Sequence, residues 1–173
     1  MTIKKLYALQ AHGERGKTTT LKMLILKILK NYNVVFNCLD GKILTADELQ
    51  KQIDEERQTE SDIENICGTV KINDKTLAIN TAGDNRNEIE KSIELFKSAV
   101  DIGICAIRTK GVTLDELNKF ADDYQRNSGL EYFIISKLSL SNALGCKSHC
   151  DMIDLMNEIQ AEMLFNELQS DFN

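Results

Sequence analysis

The order in which β-prone runs and helical periods follow one another constrains this chain more than any other property. IKKLYALQ (3–10) is a short β-rich run, and a glycine-containing turn follows it. Leu21, Leu24, Ile25, Ile28 and Leu29 then return at the three- and four-residue spacing of an amphipathic helix over 17–31. NVVFNCL (33–39) reads as a buried strand, and TADELQKQIDEERQTE (45–60) as a charged helix with Thr45 or Asp47 as its cap. ICGTVKINDKTLAINTAGD (66–84) reads as a hairpin turning at Asn73-Asp74, a pair that tolerates positive φ. A helix over 87–100 carries Ile89, Ile93, Leu95, Phe96 and Val100 near one face. DIGICAIRT (101–109) is a continuous apolar strand, followed by a helix over 113–129 capped by Thr113 and ended by Gly129. LEYFIISKL (130–138) is the last strand, and 151–168 the closing helix.

Strands that alternate with helices, one hairpin apart, predict an α/β domain. Its central sheet is expected to be mostly parallel with an antiparallel hairpin strand, and helices are expected on both faces. At 173 residues, with no linker, internal repeat or low-complexity segment, residues 1–173 read as one domain. A net charge of −6 gives no indication of a nucleic-acid binder, which usually shows a basic face. LKMLILKILK (21–30) is broken by lysines and far short of the roughly 20 residues that span a bilayer, so no membrane partner is expected. The start, MTIKKLYALQAHG, turns polar too soon for a signal peptide. With that start, the five cysteines suggest reduced thiols and a cytoplasmic protein. CKSHC (146–150) is a single cluster, short of the separated ligand pairs of a zinc site.

In open α/β sheets, ligands sit at the carboxyl ends of strands, and the first strand-to-helix turn is the usual phosphate site. Here that turn is AHGERGKTT (11–19). Gly13 and Gly16 let backbone N–H groups curl around phosphate oxygens, with Glu14, Arg15 and Thr19 completing the loop. Lys17 reaches for the β and γ phosphates, and the Thr18 hydroxyl for Mg²⁺. The full pattern G-x-x-x-x-G-K-[ST] asks for glycine where this chain has Ala11.

Through AHGERGKTT and a second stretch, LAINTAGD (77–84), the chain resembles the P-loop NTPase superfamily. The resemblance implies a three-layer P-loop NTPase fold that binds a nucleoside triphosphate with Mg²⁺ and hydrolyses it or transfers its phosphoryl group. NTAGD is similar to the D-T-A-G stretch of small GTPases, where the aspartate holds Mg²⁺ through water and the glycine N–H contacts the γ-phosphate. That likeness implies Thr81 and Gly83 near the phosphates, Asn80 at the metal position and Asp84 as the source of the missing carboxylate. Alternatively, 80–84 is a turn that caps the next helix, with Asp84 near its start. The N-K-x-D motif that selects guanine is missing after both later strands, which read Arg108-Thr109-Lys110-Gly111 and Ser136-Lys137-Leu138-Ser139. ATP is therefore expected over GTP.

Arg108, Thr109 and Lys110 should share the carboxyl edge with the first turn, which makes Arg108 a candidate catalytic cation beside Lys17 and Asp84. Arg86 and Arg15 have similar standing, while His12 reads as a simple loop residue. Three activities fit: an NTPase, a small-molecule or nucleotide kinase, and a nucleotide-dependent switch for a protein partner. The final helix either packs on its own domain or supports a homodimer.

Overall fold

Successive side chains of β1 (Lys5–Ala11) leave opposite faces of the sheet, and both faces are apolar. Tyr7 and Leu9 pack with α1 (Lys17–Tyr32), α2 (Ala46–Thr59) and α5 (His149–Phe172). Leu6 and Ala8 pack with α3 (Arg86–Lys97) and α4 (Val112–Ser128). The computed structural model that shows this describes residues 3–12, 16–59, 64–138 and 149–172, with 149–151 as backbone alone. Gly13, Glu14 and Arg15 of the first turn, and Cys146 with the side chains of His149 and Cys150, lie outside the described residues.

The remaining strands are β2 (Phe36–Cys38), β3 (Ile43–Leu44), β4 (Cys67–Ile72), β5 (Lys75–Asn80), β6 (Ile102–Arg108) and β7 (Glu131–Ser136). They form one seven-stranded mixed sheet in the order β3-β2-β4-β5-β6-β1-β7. From β5 to β7 every pairing is parallel, while β4, β2 and β3 are each antiparallel to their neighbour. The five helices make the α/β expectation good, and the expected hairpin turns at Asn73, whose φ is +54°.

Local chemistry explains most boundaries. Leu21, Leu24, Ile25, Ile28 and Leu29 are all buried, which fixes the inner face of α1. Thr45 caps α2 reciprocally: its hydroxyl accepts from the Glu48 N–H at 3.3 Å, and the Glu48 carboxylate accepts from the Thr45 N–H at 2.9 Å. Two expectations are corrected. NVVFNCL is no buried strand: only Phe36–Cys38 pairs, and Val35 and Leu39 are exposed, because just the two-residue β3 lies beyond it. Thr113 does not cap α4 either. Gly111 occupies the cap, and the Thr113 hydroxyl sits inside the first turn, accepting from the Arg108 N–H at 3.1 Å.

β7 is the last strand in the sheet order, and beside it Phe133, Ile134 and Met163 are exposed around a groove of about 490 Å³ that α5 also lines. Among the described residues no helix is long and apolar enough to cross a membrane.

Candidate functional site

Parallel pairing puts Ala11 opposite Arg108 and Gln10 opposite Ser136, so β1, β6 and β7 end together. β5 ends lower, with Asn80 opposite Cys105. Because β6 stands between β5 and β1, the NTAGD stretch starts two strand spacings, roughly 9–10 Å, from the turn that carries Lys17. Residues 81–84 cover that distance by crossing the backbone of β6. A Cβ built on Gly83 would lie 1.7 Å from the Ala106 carbonyl oxygen and 2.3 Å from its carbon. Only glycine allows this crossing, so the scaffold itself demands the motif glycine.

The crossing delivers Asp84 to the start of α1. Its Oδ1 lies 3.2 Å from Lys17 Nζ and 3.3 Å from Arg108 Nε. Lys17 is buried at 5% exposure, whereas Arg108 and Asp84 are each about half-exposed, so solvent reaches this junction from one side. Asp84 is available for that role because its neighbour does the capping. The Asn85 side chain accepts from the Glu88 N–H, and Glu88 returns the bond, which closes a capping box on α3. Of the alternative reading of 80–84 as a capping turn, the position of Asp84 near the helix start holds, its N–H donating to Glu88 at 2.6 Å, while the cap itself is Asn85.

The entry to α1 is built for close approach. Gly16 is left-handed at φ +74°, and a Cβ there would also meet the Asn157 Oδ1 at 2.6 Å. Among the described residues no side chain caps this helix, and its first turn carries no acidic residue. The Thr18 hydroxyl reaches the Thr81 carbonyl at 3.2 Å and the Asn65 Oδ1 at 3.4 Å, while Thr19 is half-buried in the same turn. Thr81 is anchored to the chain before β4: its N–H donates to the Ile66 carbonyl, and its hydroxyl accepts from the Ile66 N–H at 2.8 Å. Its side chain is spent there, and its carbonyl is the part that faces Thr18.

Asn80 turns away from this junction. Its amide donates to the Glu88 carbonyl at 3.1 Å and to Ser92 Oγ at 2.8 Å, and its carbonyl oxygen accepts from the Ala82 N–H at 3.1 Å. At 2% exposure it anchors the turn to α3, which aspartate could not do by donation. Arg86 is also drawn elsewhere, to Glu116 at 3.2 Å. His12 Nδ1 and Thr109 Oγ1, 2.9 Å apart, tie the ends of β1 and β6 together.

Two contributors escaped sequence reasoning. Asn65 reaches Thr18 from a segment that carries no motif. Asn157 of α5 accepts from the Thr20 hydroxyl at 3.2 Å and shields Gly16. A signal for Asn157 existed: with Gln160 it interrupts the buried stripe that Ala161, Leu164, Phe165 and Leu168 continue.

The oxygen chemistry suits a hard cation. Thr18 offers a hydroxyl and Asp84 a carboxylate, and among the described residues no group of three or more His, Cys, Asp or Glu is placed to hold a metal. A hydroxyl and a carboxylate are hard oxygen donors, the kind that Mg²⁺ takes alongside waters and phosphate oxygens. The chain matches no protein-family model, no curated protein and no solved structure.

Proposed function

We propose that this chain binds a nucleoside triphosphate, ATP in preference to GTP, as its Mg²⁺ complex and hydrolyses it. The observation that carries the reading is the convergence of Lys17 and Arg108 on one oxygen of Asp84 at the start of α1. Two cations drawn to a single anionic oxygen at a helix N-terminus form an environment that a phosphate group would also satisfy.

In this reading the Gly13–Gly16 backbone, with Glu14 and Arg15, surrounds the phosphates, and Lys17 neutralises the β and γ groups. The Thr18 hydroxyl, directly, and the Asp84 carboxylate, through water, are the groups that would hold the metal. Arg108 then stays beside the transferring group and offsets its developing charge. Mg²⁺, when bound, supplies charge neutralisation across the phosphate oxygens. Asn80, committed to α3, has no place in the ligand set.

Calorimetric titration of ATP and GTP with Mg²⁺, on the wild type and on Lys17→Ala, tests this. The expected result is binding of ATP, weaker binding of GTP, and a loss of at least about tenfold in the variant, equivalent to ~1.4 kcal/mol. Equal ATP affinity in the two proteins would refute the assignment of Lys17.

A further inference from the structure

Exposed apolar surface gathers on one side of this molecule. Among the described residues, eight of the eleven exposed large apolar side chains lie on β7, on α5 or at Leu138, a concentration that marks an interaction surface rather than ordinary scattered exposure. On α5, at about 100° per residue, Met152, Leu155, Ile159 and Met163 fall within roughly 80° of one another. Met163 lines the groove against β7 together with Gln160, Leu164 and Glu167, so this exposed stripe borders the strand.

β7 carries none of the devices that keep a sheet edge from pairing. Its six residues, EYFIIS, run in unbroken register with β1, without lysine, proline or bulge. At the other end of the sheet order, β3 is only two residues long and follows Lys42. The N–H groups of Glu131 and Lys137 donate to the Lys4 and Gln10 carbonyls at 2.9 and 2.8 Å, so the odd-numbered residues of β7 turn their backbone groups to β1. Even-numbered residues turn theirs outward. There α5 closes one end: Gln160 donates to the Ser136 carbonyl at 2.9 Å and accepts from the Leu138 N–H at 2.8 Å, as a neighbouring strand would. Tyr132 and Ile134 keep outward N–H and C=O groups that no strand takes among the described residues.

We infer that β7 pairs antiparallel with β7 of a second copy of this chain, about a two-fold axis at Phe133. Such an axis stands perpendicular to the sheet, so each face of one copy continues as the same face of the other. It sets Tyr132 opposite Ile134 of the second copy and Ile134 opposite its Tyr132. Each of these pairs exchanges two hydrogen bonds, which uses the outward groups that Gln160 leaves open. Phe133, already stacked on Tyr7 at 5.1 Å between ring centroids, meets its own counterpart across the axis. Glu131, the only charged residue of β7, falls opposite Ile135 of the second copy, so no like charges meet across the strands. The same axis lays the exposed stripe of α5 against its counterpart. A lone strand from another protein would cover the edge and leave that stripe in water, whereas a second copy covers both. Eight apolar side chains showing on the order of 100 Å² each approach the ~800 Å² that each partner of a stable interface buries.

Sedimentation of the full chain tests this, and the pairing needs no nucleotide. The wild type is expected at twice the chain mass of 19.5 kDa. Ile134→Pro removes an outward N–H and leaves the pairing with β1 intact, and Met163→Lys places a charge on a side chain that is 60% exposed. Each should weaken the dimer by about tenfold or more, with a melting curve that shows the variant folded. Under oxidation Phe133→Cys should cross-link into a dimer, since facing Cα atoms at a non-hydrogen-bonded position lie about 4.5 Å apart. Glu131→Cys, four residues out of register with its counterpart, should cross-link no more than the wild type. A wild type that sediments as a monomer at roughly 100 μM overturns the inference, because interfaces of this size hold at micromolar Kd or better. A dimer that keeps its strength in both folded variants places the contact elsewhere and overturns it too. Cross-linking of Glu131→Cys in place of Phe133→Cys refutes the register.

Discussion

Replacing Gly83 by alanine separates a glycine kept for a ligand from one kept for the fold. An alanine Cβ would stand 1.7 Å from the Ala106 carbonyl oxygen, where ordinary contact needs at least about 3.4 Å, so the chain must open by well over an ångström. Neither partner is the end of a flexible side chain: both are backbone, one inside a strand paired on each side. Overpacking of this kind costs about 1–3 kcal/mol, and immobile neighbours place it in the upper half of that range. At about 2–4 °C per kcal/mol for a domain of this size, the melting temperature should fall by roughly 4–12 °C. Scanning calorimetry of wild type, Gly83→Ala and Asp84→Asn reads the effect. The last variant keeps the crossing and weakens only the junction with Lys17 and Arg108. If glycine served only to offer its N–H to a phosphate, alanine would retain that N–H and the melting temperature would stay within a degree or so. That outcome would refute the crossing as described.

Asn80→Asp, which restores the residue of the GTPase-like stretch, should destabilise the fold by about 1–3 kcal/mol, because the donors to Glu88 and Ser92 vanish at a buried position. A urea titration checks it, and a gain in Mg²⁺ affinity without loss of stability would contradict the placement of Asn80. Lys137 is buried at 8% exposure, and burial lowers its ammonium to about 8 from 10.5. Between those values the unfolded chain binds a proton that the folded one has released, so this lysine makes stability rise with pH, by of order 1–3 kcal/mol. Urea midpoints near pH 7.5 and 10 should therefore climb in the wild type relative to Lys137→Met; parallel behaviour of the two would count against it. Thr45→Ala removes one half of the box at α2 and should cost about 0.5–2 kcal/mol, readable in the same urea assay.

The parts of the site that follow from strand-end logic were legible in the sequence. Arg108 ends one apolar run, Asp84 and the Lys17-Thr18 pair lie in or just past the turns that follow two others, and parallel strands bring such ends to one edge. What joins them was not legible. Nothing in NTAGD says that a strand intervenes between β5 and β1, so its glycine read as a phosphate contact rather than as clearance over Ala106. Apolar content likewise misjudged NVVFNCL, since composition reports burial only where neighbours cover both faces and β2 has a two-residue strand on one side. Asn65 acts through a contact between segments 47 residues apart in sequence, which no local pattern encodes.

Asn157 gives the site a place in the timing of synthesis. Gly16 and Thr20 leave the ribosome well before the residue that braces them, which lies 137 residues beyond Thr20, in α5. At ~5–20 residues per second, several seconds or more separate the emergence of the first turn from that of its brace. A nascent chain therefore carries the loop sequence long before it carries the loop's support, and this brace is in place only when α5 docks.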